Sequence, residues 1–236
     1  MVEDHCASID EEPAMDVRAR YPQRVDILPL GDTTLLVRFA KGLDDEANLR
    51  TIRLAKVLVD DLADGIVEVV PSLVSLLVRY DPSVTDPFRL SGEIQLRLGR
   101  AGEAVCSEEH LLHVRFGGED GPDLEDVAHT LGVSPEEFIL SQTTARLRVL
   151  ATGFAPGFVY CGFHEAWLHV PRRTIVRPEV PAGSVLFAAG QTAIAATEVP
   201  TGWHVIGRTD FRNFQPSQDP PTLLRPGDSI RFGAID

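Results

Sequence analysis

Lysine is almost missing from this chain of 236 residues: only Lys41 and Lys56 are present, so cationic chemistry rests on arginine and no Schiff-base mechanism is suggested. Cysteine is scarce too. Cys6, Cys106 and Cys161 lie far apart without CxxC spacing, which argues against a disulfide framework or a zinc site and predicts reduced, mostly structural thiols. No apolar run approaches the roughly 20 residues of a spanning helix. The first sixteen residues are acidic, where a secretory signal is basic and then apolar, so the expected location is the cytoplasm, away from membranes. There is no GxxxxGK[ST] phosphate loop, GxGxxG, HExxH or GxSxG. A Gly/Ser-rich nucleophile loop with a lysine base is lacking as well, which removes amidase chemistry of the Ser-Ser-Lys kind.

What is present is an ordinary globular composition, 44% hydrophobic and 24% charged, with a net charge of −13. The acidity is regional: 28 Asp and Glu stand against 15 Lys and Arg up to Leu150, and seven against seven beyond it. Phosphate neutralisation needs clustered positive charge, so a nucleic-acid partner is not expected. Residues 1–22 hold six acidic residues and no periodicity, and read as a disordered extension.

Two regions follow, 23–108 and 109–236. In the first, residues 33–39 form a β-rich run. Asp44 then opens a segment with Ala47, Leu49, Ile52, Ala55, Leu58 and Leu62 at helical spacing, with Gly65 as its stop. Residues 66–70 and 73–80 are two further strands, and 86–98 a weaker amphipathic helix, giving a small β-α-β-β-α layer. The second region begins with a strand at 111–116. Two helices with cap signals come next: Asp123 before residues 124–131 with Gly132 as stop, and Ser134 with Pro135 and Glu137 as a capping box, with Val133 placed to staple to Phe138. Residues 146–151 return to strand. Beyond Gly153 the chain is Gly- and Pro-rich with short apolar runs at 184–189, 204–207 and 229–232, the last fed by the turn Pro226-Gly227. The expected fold is α+β: a small α/β domain followed by a β-barrel.

Chemistry concentrates in Gly153-Phe154-Ala155-Pro156-Gly157-Phe158-Val159-Tyr160-Cys161-Gly162, in Pro171-Arg172-Arg173 with Arg177, and in Val180-Pro181-Ala182-Gly183-Ser184-Val185. It continues through Gly190-Gln191-Thr192 and Gly202-Trp203-His204-Val205-Ile206-Gly207-Arg208-Thr209. Glycines allow close backbone approach and prolines fix the loops, so such a run suits a small ligand or a partner surface. Arg172, Arg173 and Arg177 offer planar forks for a carboxylate or phosphate; the competing reading pairs them with local carboxylates such as Glu179. Gln191 and Thr192 offer amide and hydroxyl groups for a lactam or oxyanion, with loop architecture as the rival. Arg208 and Thr209 stand at a strand end, facing a ligand or a partner. Phe154, Pro156, Gly157, Phe158 and Trp203 belong to loop architecture or a partner interface. His204 reads as structural, His164 and His169 lack a third metal ligand, and nothing around Asp210 marks it as a base.

In order and spacing, these segments resemble the GF-x-PGF-x-Y, PRR-x-x-x-R, VPAGSV, GGQT and GW-x-x-IGRT motifs of the family of 5-oxoprolinase B subunits, also called the KipI or allophanate hydrolase subunit 1 family. The resemblance covers about 26–232. It departs from the family at Ala188-Ala189-Gly190, at Ala193 and at Cys161. The resemblance implies a cyclophilin-like barrel that associates with a larger homologous partner, the C subunit, together with the A subunit. It further implies a small amide substrate, 5-oxoproline, opened to glutamate with ATP used by the complex. Because the family also holds a sporulation kinase inhibitor, a regulatory protein that binds a sensor histidine kinase is the alternative, and a urea or allophanate pathway component another.

Overall fold

The computed structural model describes residues 25–99 and 107–235, so the expected acidic extension, together with Cys6 and Cys106, lies outside the described residues. The first part is a four-stranded antiparallel sheet carrying two helices. Its elements are β1 (Asp26–Pro29), β2 (Thr34–Arg38), α1 (Asp45–Asp60), β3 (Ile66–Pro71), β4 (Ser75–Tyr80) and α2 (Pro87–Leu98), with sheet order β1-β2-β4-β3. Alternation decides which face is covered: Leu35 and Val37 of β2 and Leu76, Val78 and Tyr80 of β4 meet Leu54 and Leu58 of α1 and Leu90 and Ile94 of α2.

Asp44 does cap α1, accepting from the Ala47 amide at 2.7 Å. The helix closes at Asp60, however, five residues before Gly65, because Leu62 falls outside the packed stripe and is 59% exposed. Gly65, with φ +85°, instead forms the turn into β3. Strand β1 is an addition to the expected layer; four half-exposed residues ending in proline carry no alternation to read.

The second part contains β5 (Glu109–Phe116), α3 (Leu124–Leu131), α4 (Pro135–Thr144), β6 (Leu147–Thr152), β7 (Val159–Gly162), β8 (Arg177–Val180), β9 (Ser184–Ala188), β10 (Gln191–Ile194), β11 (Val199–Thr201), β12 (His204–Thr209) and β13 (Ser229–Ile235). Seven of these strands close into a barrel in the order β10-β7-β6-β13-β5-β12-β9, while β8 and β11 pair as a separate ribbon. All barrel neighbours are antiparallel except β13 and β5. Strand alternation sorts the side chains into two clusters. Val185, Phe187, Val149 and Cys161 share one with Phe138 of α4 and Val127 of α3. Leu186, Ala188 and Ala193 point the other way and are covered by Phe158, Trp203, Val180 and Val199.

Ser134 and Glu137 form the full capping box at the start of α4, and Gly132 closes α3 in the left-handed conformation. The two parts are joined at α1. Asn48, fully buried, donates to Leu73 O at 2.8 Å on its own side and to Leu150 O at 2.9 Å on β6, and beside it Asp45 pairs with Arg148.

Candidate functional site

The loop entering β7 is fixed around Gly157. Gly157 has φ +69°, and a Cβ there would sit 2.6 Å from Phe214 Cβ and 2.8 Å from Ala196 Cβ, so only glycine fits. Its carbonyl accepts from Asn213 Nδ2 at 2.8 Å, and Asn213 Oδ1 accepts from the Leu223 and Leu224 amides. So anchored, the loop presents Phe154, at φ +80° and 69% exposed. That backbone conformation costs a non-glycine residue about 1–3 kcal/mol and places the ring where it meets both solvent and Phe158.

From Phe154 a row of rings runs across the outer face of the barrel. Centroids are 5.3 Å apart for Phe154 and Phe158, 4.9 Å for Phe158 and Tyr160, and 6.0 Å for Tyr160 and Trp203. The Arg172 guanidinium ends the row, 5.6 Å from the Trp203 ring centroid. An exposed cation–π contact of this kind is worth about 0.5–1 kcal/mol, enough to orient the guanidinium without neutralising it. Burial pushes the Tyr160 phenol pKa up, partly opposed by the Arg172 charge.

The neighbouring arginines are bound differently. Arg173 Nη1 and Arg177 Nη2 both donate to Asp123 Oδ1, at 2.5 and 2.6 Å, while Asp123 Oδ2 accepts from the Val205 amide at 2.8 Å. Asp123 is buried, and its side chain makes no cap bond to α3, in contrast to the expected helix cap. The two arginines reach across 50 and 54 residues to pull it away. Arg173 and Arg177 thus pair with a carboxylate, as the rival reading held, but with Asp123 instead of Glu179. Arg172 makes no ion pair among the described residues. It borders a concavity of about 330 Å3 shared with Thr130, Thr174, Ile175 and His204, whose Nε2 lies 3.0 Å from Pro171 O.

Known proteins share this sequence over nearly its whole length. The family described as Carboxyltransferase domain, subdomain C and D matches residues 25–224. The chain is 34% identical to the 5-oxoprolinase B subunit of Bacillus subtilis (strain 168) over 224 residues, covering 90% of this chain and 93% of that relative. The chain belongs to the 5-oxoprolinase B-subunit family. Identity to the 5-oxoprolinase B subunit of Escherichia coli O157:H7 is also 34%, over 215 residues, with coverage of 89% and 96%. Among solved structures, TTHA0988 superposes with a TM-score of 0.75 at 33% identity over 86% of this chain; the match spans 40% of that longer chain.

Within this member of the 5-oxoprolinase B-subunit family the motif residues divide among three places. Gln191 and Thr192 are consecutive on β10 and therefore face opposite ways. Thr192 is fully buried in the barrel interior, 2.7 Å from His164 Nε2 and donating to Gln142 Oε1 at 3.3 Å. Gln191 is 4% exposed on the outer side, and its Nε2 has no hydrogen-bond partner among the described residues. Thr192 is out of reach of any ligand on the outer face. Arg208 and Thr209 stand at the far end of β12, roughly 16 Å from Trp203 at about 3.3 Å per residue. There Arg208 Nε donates to Ala182 O at 3.3 Å and Nη1 lies 3.8 Å from Asp120, and the buried Thr209 hydroxyl accepts from the Phe211 amide. Arg208 thus lies about one strand length from Trp203, the ring on which Arg172 stacks.

Asp210, exposed, pairs with Arg115, which holds its carboxyl below the usual range; nothing there resembles a base waiting for a proton. Cys161 is buried and its thiol pKa is pushed up by that burial, so it is a packing residue. Among the described residues no cluster of three or more His, Cys, Asp or Glu is placed to hold a metal ion, and no helix is long and apolar enough to cross a membrane. Sequence reasoning missed Asp123 as an arginine anchor and Asn213 as the loop clamp. Their partners are remote in the chain, so no local pattern marks them.

Proposed function

We propose that this chain is the B subunit of an ATP-dependent 5-oxoprolinase, working with a larger homologous C subunit, and with the A subunit, to open 5-oxoproline to glutamate in the cytoplasm. On this reading residues 23–108 and 109–236 are its two domains, the second a cyclophilin-like barrel. A neutral lactam is a poor electrophile, and ATP supplies the assembled enzyme with the phosphoryl group that activates the lactam oxygen before water attacks. The contribution of this chain is to hold the substrate. Arg172 carries that assignment: it is the exposed arginine of its motif, oriented by Trp203 at the rim of a concavity, while Arg173 and Arg177 are committed to Asp123. Its planar fork matches the carboxylate of 5-oxoproline. The aromatic row from Phe154 to Trp203 supplies apolar surface for the lactam ring or for the C subunit.

The test is coexpression with the A and C subunits. The complex is expected to hydrolyse ATP in response to 5-oxoproline, and this chain alone to turn over nothing. Arg172→Ala is expected to lower kcat/KM by about 10- to 150-fold, the equivalent of about 1.5–3 kcal/mol for one charge-assisted contact, with coelution unchanged. Wild-type rates in that variant would remove Arg172 from the site. Binding to a histidine kinase with no 5-oxoproline turnover would replace the enzymatic reading by a regulatory one.

A further inference from the structure

A cleft of about 760 Å3 opens between the sheet-and-helix layer and the barrel, and none of the motif residues from Gly153 to Thr209 lines it. One wall is the C-terminal half of α1, where Ile52, Ala55 and Val59 recur at helical spacing, extended by Val69 and Pro71 of β3. The other wall is the start of β5 and the segment 218–228, stiffened by Pro220 and Pro226. Asn48 lies one turn before Ile52 on α1, and its bond to Leu150 O fixes that end of the helix to the barrel. The cleft is lined from both parts of the molecule, with residues 52–71 on one side and 108–110 and 218–228 on the other. Its size and its position between them are those of small-molecule sites.

The walls differ in character, and the difference sets the kind of occupant. The α1 and β3 side is largely hydrocarbon. The barrel side contributes Glu108, Asp219 and Asp228, against Arg225. Lys56 is paired with Asp60 at 2.7 Å. Asp228 accepts from the Glu108 and Arg225 amides at 3.2 and 2.8 Å, with His110 Nε2 3.6 Å away, so it is engaged in closing its own turn. The Glu108 and Asp219 side chains are exposed at the rim. With Asp60 included, four carboxylates line the cleft against Lys56 and Arg225, on a protein whose net charge of −13 already draws cations to its surface.

We propose that this cleft binds a small cationic amphiphile, an amine whose hydrocarbon body lies along the α1 stripe and whose ammonium group meets the carboxylates of the barrel-side wall. The site is independent of the 5-oxoprolinase reading. It joins the two halves of the molecule, so an occupant stabilises their docking.

Titration calorimetry of the full chain with three probes sharing one ring system tests this: tryptamine, indole and indole-3-acetate. Tryptamine is expected to bind saturably and at least ten-fold tighter than either of the others. Val59→Trp, made at a position 58% exposed, fills the cleft and is expected to weaken tryptamine at least ten-fold. The double variant Glu108→Gln/Asp219→Asn is expected to bring tryptamine down to the level of indole while leaving indole unchanged. Saturation transfer from tryptamine to the Val59 and Val69 methyl groups of the unaltered chain gives the location without any variant. The proposal is overturned if indole-3-acetate binds as tightly as tryptamine, if Val59→Trp binds like wild type, or if tryptamine does not saturate the chain at millimolar concentration.

Discussion

In the layer, the buried polar side chains of α1 are Asn48 and Thr51; in the barrel and its loops they include Asp123, Gln142, Thr192, Asn213 and Asp228. Thr51 bonds the carbonyl one turn back, at Ala47, and Asn48 is turned toward the barrel. Of these two only Asn48 bonds far along the chain, and it leads to the barrel, where such bonds are the rule: Asp123 to residues 173, 177 and 205, Asn213 to Gly157, Thr192 to Gln142. Hydrocarbon with the right period is enough to stack two helices on a sheet, because burial is non-directional. Loops rich in glycine and proline have little hydrocarbon to bury, and directional bonds across the fold position them instead. The candidate site is made of such loops.

The largest effect should come from breaking the most connected of these bonds. Asp123→Ala leaves two guanidinium groups and the Val205 amide without their partner, and loss of one member of a buried ion pair costs about 3–5 kcal/mol. Thr51→Ala, its counterpart in the layer, removes one local bond and should cost about 0.5–1.5 kcal/mol. Urea unfolding of both variants measures the contrast. Equal losses would show that the barrel's long-range bonds carry no special weight.

The next effect is on pH dependence, and it separates the barrel interior from the rest. Burial lowers the His164 pKa to about 4 from an ordinary value near 6.5. Between those values the unfolded chain holds a proton that the native state excludes, so stability rises with pH through this window and is lost on acidification from about 6.5 to about 4. The full difference corresponds to at most about 3 kcal/mol. Replacing His164 by Asn removes this contribution, so the stability gap between wild type and variant should narrow or reverse as pH falls from about 7 to about 4. A gap that stays constant over that range would mean that His164 titrates alike in both states.

The same contrast explains what could be read from the chain. The Asp44 cap, the β-rich runs of β2 and β4, the capping box at Ser134 and Ala47, Ile52, Ala55 and Leu58 of the α1 stripe are local, each decided within a few residues, and they stand in the structure as the pattern predicts. Leu49 and Leu62 of that stripe, by contrast, are not buried. The closing of the barrel is not local: β13 lies parallel to β5, Ser229 opposite Glu109, and no sequence period encodes a register over that separation. The site was legible as a set of motifs and not as a surface. Gln191 and Thr192 looked equivalent until β10 placed them on opposite faces, and the three arginines looked alike until Asp123 took two of them. Tyr160, in the middle of the aromatic row, carried no signal beyond its place in a motif.

The smallest effect tests the comparison within one stretch of chain, between two helices whose first residues look interchangeable. Asp123 and Ser134 each precede a helix with an acidic residue at its third position. Ser134 does what that pattern implies: its hydroxyl accepts from the Glu137 amide at 3.1 Å, and Glu137 returns the bond by accepting from the Ser134 amide at 2.8 Å. Both groups are exposed to water, which can replace them in part. Ser134→Ala should therefore cost about 1 kcal/mol, within the usual range for an N-cap, against about 3–5 for Asp123→Ala. The two bonds close one reciprocal motif, so the combined Ser134→Ala/Glu137→Ala variant should lose less than the sum of the single losses. Activity of an assembled complex should be unchanged, since neither residue borders the Arg172 concavity. Denaturant midpoints of the two single variants and the double variant, set beside Asp123→Ala, give the ordering directly. If Ser134→Ala proves as damaging as Asp123→Ala, the water around α4 does not compensate for the lost cap, and the distinction between a local cap and a long-range anchor loses its energetic basis.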